Sequence, residues 1–311
     1  MAAFLEINNI VKKYGDYTAL NSISMQIPKG SIFGLLGPNG AGKTSLIRII
    51  NQITLPDSGN IILDGAQLKP SDVKQIGYMP EERGLYKSMK VGEQCLYLAQ
   101  LKGMSKADAK LQLDYWFSKL EIQGWWNKKI EELSKGMAQK IQFVVTVLHQ
   151  PKLLIFDEPF SGFDPVNANL IKDQIFELKQ KGATIIFSSH RMESVEELCD
   201  DIALIHKSNK LLEGSLVDIK KQFRTNTFEV GIVTDNEPLL LSDLAASFIV
   251  AKTNFKSLHN DVKLEINIGT HDPNKLLHLL LQYGQVTHFI EKIPSVNDIF
   301  IAAVTNKKIL S

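Results

Sequence analysis

Hydrophobic and polar residues alternate through the first thirty positions, most clearly at 4–8 and 23–27. A period of two is typical of half-exposed strands, so this part of the chain predicts an antiparallel β edge, which residues 61–65 extend. From residue 151 onwards, continuous apolar runs such as 153–156 and 183–188 alternate with amphipathic stretches. These runs predict buried strands of a parallel sheet that carries helices on its faces.

Two other regions have a different pattern. A helical period with few β-branched residues predicts a helical subdomain at about 86–149. Within it, the stretch 106–120 is predicted to be a helix with most of its apolar residues on one face, namely Ala107, Ala109, Leu111, Leu113, Trp116, Phe117 and Leu120. Beyond residue 216 the pattern predicts short strands at 226–233, 262–268 and 286–292, and helices at 273–283 and 295–304. We therefore predict two domains, an α/β domain at 1–215 and a small α+β accessory domain at 216–311.

Composition narrows the class of protein. A length of 311 residues suits two domains, and the net charge of +1 gives no basic surface for nucleic acid. No apolar run approaches the roughly 18–20 residues that span a bilayer. Cys95 and Cys199 show no metal-ligand spacing, which indicates reduced, packed thiols in a cytoplasmic protein.

The residues GPNGAGKT at 37–44 fit the pattern G-x-x-x-x-G-K-[ST], between an apolar strand at 31–36 and an amphipathic helix from 45. A glycine-rich turn before a helix N-terminus directs backbone N–H groups and a positive dipole end at one anion. The motif predicts that Lys43 reaches the β- and γ-phosphates of ATP and that the Thr44 hydroxyl binds Mg²⁺. The predicted nucleotide-binding residues are Gly37, Pro38, Asn39, Gly40, Ala41, Gly42, Lys43, Thr44 and Ser45.

A pair of carboxylates follows the apolar run at 153–156. Open α/β sheets bind ligands at the carboxyl ends of their strands, where Asp157 and Glu158 are expected to lie. We predict that Asp157 holds Mg²⁺ and that Glu158 polarises the water that attacks the γ-phosphorus.

With these two motifs, residues 1–215 resemble the ATP-binding cassette (ABC) ATPases, whose core is a P-loop fold with a mixed sheet and a helical signature subdomain. Tyr14 matches the aromatic residue that stacks on adenine in this family. LSKGM at 133–137 stands at the signature position, which implies nucleotide contacts for Ser134 and Gly136. SGFD at 161–164 resembles the D-loop and brings in Asp164, and His190 resembles the switch histidine.

Three positions depart from the common family pattern. Glu81 stands where glutamine is usual, and we keep it as a candidate catalytic residue and Mg²⁺ ligand that offers only acceptor atoms. Lys135 replaces a glycine of the signature, and Met137 replaces a glutamine. Either these changes have no consequence, or Glu81 and Lys135 compensate electrostatically in a closed dimer.

The stretch PEERGLY at 80–86 and the accessory domain are similar to ATP-binding subunits of bacterial two-component exporters, including the sodium-extrusion type. This resemblance implies a second copy or a related subunit as dimer partner, an integral-membrane transporter subunit, and a peripheral position on the cytoplasmic face of the membrane. An apolar docking surface is predicted from Leu85, Tyr86, Met89, Val91, Tyr97 and Leu101, although each also suits core packing.

Two alternatives remain at this point. One is a soluble ABC-type ATPase that acts on nucleic acid or the ribosome, and the other is a nucleotide-binding regulator without turnover. The near-zero net charge counts against the first, and the presence of Lys43, Asp157, Glu158 and His190 counts against the second. The sequence does not identify the transported substrate, the direction of transport or the role of residues 216–311.

Overall fold

The computed structural model describes residues 3–82, 84–256 and 261–305 and divides into two compact units, Met1–Leu216 and Val217–Ser311. Arg83 of the PEERGLY stretch and parts of the predicted accessory domain (257–260 and 306–311) lie outside the described residues. Each helix within the described ranges is too short or too polar to span a lipid bilayer.

The described strands of the first unit are β1 (Ala3–Tyr14), β2 (Tyr17–Pro28), β3 (Ile32–Leu36), β4 (Ser58–Leu63), β5 (Ala66–Gln67), β6 (Ile76–Met79), β7 (Leu153–Asp157), β8 (Thr184–Ser188), β9 (Asp201–His206) and β10 (Asn209–Ser215). Its helices are α1 (Lys43–Ile50), α2 (Val91–Leu101), α3 (Lys106–Lys119), α4 (Lys135–Val147), α5 (Pro165–Gln180) and α6 (Met192–Leu198), and α7 (Leu216–Gln222) crosses the boundary between the units.

Two sheets form the first unit. The larger has the strand order β10-β9-β3-β8-β7-β6, in which the neighbouring strands from β9 to β6 are parallel and β10 is antiparallel to β9. The smaller, β2-β1-β4-β5, is antiparallel. The predicted P-loop fold, with a mixed sheet and an antiparallel β edge, is confirmed.

The apolar runs form the centre of this unit. Every residue of β3, β7 and β8 is buried, as expected for strands covered on both faces. A single hydrophobic cluster joins β1, β2 and α1 to the large sheet through residues such as Leu20, Phe33 and Ile47. Each such side chain stabilises the fold by about 1.5–3 kcal/mol when it is buried. The carboxyl ends of the strands are therefore attached to a well-packed core.

Helix α3 corrects one predicted set of core residues. Ala109, Leu113, Trp116 and Phe117 are buried as expected, but Leu111 is 68% exposed and Ala107 is also exposed. The i, i+4, i+7, i+8 spacing of the buried residues defines the inner face, and Leu111 lies outside that stripe.

Both cysteines pack in the interior as predicted. Cys95 in α2 and Cys199 after α6 are free thiols in buried positions. Burial raises the pKa of the Cys95 thiol to about 12 and raises that of Cys199 as well.

The second unit contains β11 (Thr227–Thr234), α8 (Glu237–Ala245), β12 (Ile249–Lys252), β13 (Val262–Asn267), α9 (Pro273–Leu281), β14 (Gly284–Glu291) and α10 (Val296–Thr305). Its antiparallel sheet has the order β12-β13-β11-β14, which is a βαββαβ ferredoxin-like arrangement. Its core cluster contains residues of β11, β13, α8 and α9, such as Val230, Leu244, Leu264 and Leu276. The predicted α+β class of this region is confirmed.

Candidate functional site

The loop between β3 and α1 has a backbone path that requires glycine at two positions. Gly37 has φ 150°, and a Cβ atom there would lie 2.2 Å from the carbonyl oxygen of Ile205. Gly42 has φ 115°, and its Cβ would lie 2.4 Å from the carbonyl oxygen of Ala19. Side chains are therefore excluded at both ends of the loop, and its backbone passes close to β2 and β9.

Lys43 begins α1 and is buried beneath this loop. Its ammonium donates to the carbonyl oxygens of Gly37 at 2.6 Å and Pro38 at 3.2 Å. Burial lowers the pKa of Lys43, while the charges of Asp157, Glu158 and Glu81 act in the opposite direction. A cation is thus held at a position where negative charge converges.

Asp157 and Glu158 stand at the carboxyl end of β7, and both are buried. Burial raises the pKa of Asp157, and the nearby charges of Glu158 and Glu81 raise it further, whereas Lys43 opposes the shift. Glu158 has φ 49°, an uncommon left-handed conformation for this residue, and its backbone N–H donates to the carbonyl of Ser188 at 2.9 Å. The chain therefore turns sharply at Glu158 while it stays bonded to the neighbouring strand β8.

The carboxylate of Glu158 is fixed by the residues that follow β8. Its Oε1 accepts from the backbone N–H of His190 at 2.7 Å and lies 2.6 Å from the Nδ1 atom of the same residue. Its Oε2 accepts from the Ser189 hydroxyl at 3.2 Å. These contacts leave the carboxylate little rotational freedom and hold it in direct contact with the imidazole of His190.

A cavity of about 300 Å³ brings most of the predicted site residues together. It is lined by Tyr17, Ala19, Asn39, Gly40, Ala41, Gly42, Lys43, Thr44, Ser45, Glu81, Asp157, Glu158 and His190. The loop before α1, the ends of β6 and β7 and the residues after β8 thus meet around one space, as the position of ligands in open α/β sheets predicts.

Other predicted residues are not in the lining of this cavity. Ser134 caps α4, with its hydroxyl accepting from the N–H of Met137 at 3.3 Å, and Gly136 lies in the first turn of the same helix. Asp164 caps α5 through the N–H of Asn167 at 3.0 Å, and the hydrogen bonds from Asn167 lower its pKa. Tyr14 is exposed at the end of β1, with the Lys12 ammonium 5.5 Å from its ring centre. The structure thus gives Asp164 a helix-capping contact.

Two contacts were missed by the sequence interpretation. The Tyr17 hydroxyl donates to the carbonyl oxygen of Gly40 at 2.8 Å, which ties the β1–β2 hairpin to the loop before α1. Ser189 holds Glu158 as described above. Tyr17 opens β2 opposite Tyr14, and nothing in its local pattern distinguishes it from an ordinary strand residue. Adjacency to His190 was the one available signal for Ser189.

The oxygen atoms in the cavity suit Mg²⁺. Thr44, Asp157 and Glu81 offer hydroxyl and carboxylate oxygens, which are the hard ligands that this ion prefers. Among the described residues no group of three or more His, Cys, Asp or Glu side chains forms a metal cage. Three oxygen-bearing side chains would leave positions in the octahedral shell of Mg²⁺ for water and substrate phosphates.

Comparisons with known proteins identify the family of this chain. The ABC transporter family model matches residues 20–161, and the model of the C-terminal domain of DrrA1-3-like ATP-binding proteins matches residues 214–304. The uncharacterized ABC transporter ATP-binding protein YhaQ of Bacillus subtilis (strain 168) is 42% identical over 301 residues, which cover 96% of this chain and 98% of YhaQ. The linearmycin resistance ATP-binding protein LnrL of the same organism is 32% identical over 288 residues, or 91% of each chain.

A solved structure of the ATP-binding subunit of an ABC transporter has 31% sequence identity and a TM-score of 0.66. It covers 71% of this chain and 93% of its own. On the strength of these matches, the chain belongs to the ATP-binding proteins of ABC transporters, a family that binds and hydrolyses ATP.

Proposed function

We propose that this chain is the ATP-hydrolysing subunit of an ABC exporter and drives a separate membrane subunit. The proposal depends on one observation, namely that the loop before α1, Asp157, Glu158 and His190 meet around one cavity. The relatives have names of transporter subunits, which favours this function over a soluble ATPase acting on nucleic acid or the ribosome.

The residues around the cavity divide the work of hydrolysis. Lys43 and the backbone N–H groups at the start of α1 bind the β- and γ-phosphates of ATP. Thr44, Asp157 and Glu81 would hold Mg²⁺, which would neutralise charge on the phosphate oxygens. Nucleotide binding moves the Lys43 ammonium from the carbonyls of Gly37 and Pro38 to phosphate oxygens.

Glu158 is the proposed general base. Its Oε1 is oriented by His190 and its Oε2 by Ser189, so the carboxylate has a fixed direction from which it accepts a proton from the attacking water. His190 also lines the cavity that is proposed to hold the triphosphate. This arrangement resembles a base with an orienting partner, which preserves one productive geometry through the reaction.

A second copy is proposed to complete the site. ABC ATP-binding subunits work as dimers with a membrane transporter subunit. Ser134 and Gly136 stand at the N-terminus of α4, which directs N–H groups and a positive dipole end outwards. We infer a head-to-tail homodimer or heterodimer in which these groups contact the nucleotide held by the partner, and Tyr14 stacks on the adenine of its own nucleotide.

A groove on the first unit fits the membrane subunit. It has a volume of about 480 Å³, and its apolar lining includes Ile53, Val73, Leu85, Leu98 and Leu101. Of the predicted docking residues, Val91 is instead buried, whereas Tyr86 and Tyr97 are exposed and form an edge-on pair 6.5 Å apart. We propose that a cytoplasmic helix of the membrane subunit occupies this groove, which places the chain on the cytoplasmic face of the membrane.

Export is the proposed direction of transport. LnrL is named for resistance to linearmycin, and it aligns with 91% of this chain, including most of the second unit. Resistance to a toxic compound is consistent with outward transport by that relative, and we extend this direction to the present chain as part of the proposal.

The test of the proposal is ATP hydrolysis by the purified chain with and without Mg²⁺. Replacement of Glu158 by Gln should lower kcat by about 10²–10³-fold, because a general base contributes that much, while ATP binding persists. The exposed Glu193 in the first turn of α6 provides the control, since Glu193→Gln should leave kcat unchanged. Full activity of the Glu158→Gln protein would contradict the assignment.

The dimer has its own test. ATP should convert the Glu158→Gln protein from monomer to dimer in analytical ultracentrifugation, because bound ATP is not consumed. A further Ser134→Asp change keeps a helix-capping side chain but sets a negative charge against the phosphates, so this dimer should be lost. Ser105 caps α3 in the same way, and Ser105→Asp should have no effect on dimerisation. A protein that stays monomeric with ATP, even with its membrane subunit supplied, would rule out the dimer.

A further inference from the structure

Helix α4 carries a polar stripe of four residues, three of them buried, that the proposed reaction does not explain. Lys135, Gln139, Gln142 and Thr146 follow one another at spacings of four, three and four residues, which places them on one face of the helix. Gln139 is 2% exposed, Gln142 is 3% exposed and Thr146 is also buried. Amide side chains in such positions are costly unless they form hydrogen bonds, so their contacts are informative.

The first half of the stripe holds the chain that follows β7. The Gln139 Nε2 atom donates to the carbonyl oxygen of Pro159 at 3.1 Å, and this contact is buried. Pro159 is the residue immediately after Glu158. The stem of Lys135 lies across Gly162, because a Cβ atom at Gly162 would be 2.5 Å from the Lys135 Cε. Helix α4 therefore holds the loop that carries the proposed general base.

The second half of the stripe holds the end of β6. The Gln142 Nε2 atom donates to the carbonyl oxygen of Pro80 at 3.0 Å, and Pro80 immediately precedes Glu81. The Thr146 hydroxyl lies 3.5 Å from the Tyr78 carbonyl and donates to the carbonyl of Gln142 at 2.8 Å. The same helix face thus holds the two parallel strands β6 and β7 just where each delivers a carboxylate to the cavity.

We propose that Gln139 and Gln142 are positioning residues, which set the distance between Glu158 and Glu81 by holding the carbonyls of Pro159 and Pro80. This inference rests on the proposed ATPase function. The side-chain hydrogen bonds of the two glutamines run to Pro159 and Pro80, beside Glu158 and Glu81, and not to the loop before α1, so we expect their effect on the hydrolysis step. A purely structural role, in which the amides only satisfy two buried carbonyls, would instead lower stability without a selective effect on kcat.

The experiment compares three buried glutamines in the full-length chain. Gln139→Met and Gln142→Met keep length and volume but remove the donor. Gln94→Met is the matched control, because Gln94 is fully buried in α2 and neither of its side-chain polar atoms has a hydrogen-bond partner among the described residues. For each protein, kcat and KM for MgATP are measured well below the midpoint of thermal unfolding, and the binding of a non-hydrolysable ATP analogue is measured in parallel.

We expect kcat to fall about fivefold or more in Gln139→Met and in Gln142→Met, with KM and analogue affinity within about twofold of the original protein. The Gln94→Met protein should keep its kcat within about twofold. Equal kcat values in all three variants would overturn the inference, as would losses of kcat that follow the loss of thermal stability. If the original protein and Glu158→Gln have the same activity, the proposed function fails; if Glu158→Gln is inactive and the glutamine variants are normal, only the present inference fails.

Discussion

The two units of this protein treat polar groups in opposite ways. In the first unit, Lys43, Asp157, Glu158, Gln139 and Gln142 are all buried, and Glu158 has a left-handed backbone. Among the described residues of the second unit, Thr227 is the one buried polar side chain. Its charged residues instead pair near the surface, as Lys252 does with Glu237 at 2.6 Å and Lys292 with Glu265 at 2.9 Å.

This difference separates chemistry from packing. Buried charge and an uncommon backbone conformation reduce stability, so they persist where a reaction requires them. Both units have complete hydrophobic clusters, so each has a core of its own. The first unit also buries charged and polar side chains at the carboxyl ends of its strands, which lowers its stability. The second unit buries almost none among its described residues. Replacements of chemically similar residues in the two units should therefore have opposite effects on stability.

The largest effect is expected from two aspartates, one in each unit. Asp157→Asn should lower hydrolysis by about 100-fold because a proposed Mg²⁺ ligand is lost, and it should raise the Tm by about 2–4 °C because a buried charge is removed. Asp298 accepts from the N–H of Ser295 at 3.0 Å at the start of α10, so Asp298→Ala should lower the Tm by a similar amount without affecting hydrolysis. Calorimetry and an ATPase assay measure both changes, and a loss of stability in Asp157→Asn would break the comparison.

The stabilisation expected from Asp157→Asn should depend on pH. Because the pKa of Asp157 is raised in the folded protein above its ordinary value of 3.8, ionisation at higher pH destabilises the fold, and this penalty disappears as Asp157 becomes protonated at low pH. The stabilisation by Asp157→Asn should therefore be greatest at pH 7–8 and should shrink towards pH 4. A gain in Tm that is constant over this range would assign the effect to packing and not to charge.

A smaller effect is expected from Glu81 and Lys135. Glu81 lines the cavity, and in the proposed dimer the Lys135 of one copy faces the nucleotide of the other. Lys135→Met is the suitable change, because it retains the stem that lies on Gly162 and removes the charge. In a double-mutant cycle with Glu81→Gln, kcat/KM should show a coupling of about 0.5–3 kcal/mol. Additive effects would show that the two departures from the family pattern are independent.

The smallest effect is expected from Tyr17. Tyr17→Phe removes the hydrogen bond to the Gly40 carbonyl and retains the ring, so ATP should bind about 2–10-fold more weakly. Tyr97 is exposed in α2 and provides the matched control, since Tyr97→Phe should leave ATP affinity unchanged. Isothermal titration with a non-hydrolysable analogue measures both affinities. An unchanged affinity for Tyr17→Phe would show that this hydrogen bond does not contribute to ATP binding.

Much of this architecture could be predicted from the sequence because the relevant signals are local. The eight residues at 37–44 determine their own turn, and continuous apolar runs identified β3, β7 and β8. The helices α8 and α10 differ in this respect. The second was predicted, whereas α8 was missed, although Asn236 caps it through the N–H of Leu239 and Pro238 stands in its first turn. The signals for the start of α8 are therefore present in the sequence and were overlooked.

The contacts that required tertiary structure could not be predicted. Tyr17 reaches Gly40 only because β2 packs beside the loop before α1. The two residues are far apart in the sequence, and no local motif links them. Gln139 and Gln142 were hidden in the same way, since their partners are carbonyl groups in two distant loops. Leu111 was predicted to lie on the inner face of α3 because it is apolar and close to the hydrophobic stripe in sequence. Its exposure shows that the packing of the helix, and not hydrophobicity alone, determines which residues are buried.

The burial of both native thiols has a practical consequence for observing this molecule at work. A buried thiol with a strongly raised pKa reacts slowly with maleimide dyes, so Cys95 and Cys199 need not be replaced before labelling. A single engineered cysteine on an exposed face would then carry the fluorophore alone. Energy transfer between two labelled molecules would then show in real time whether they approach and separate during turnover, as the proposed dimer requires.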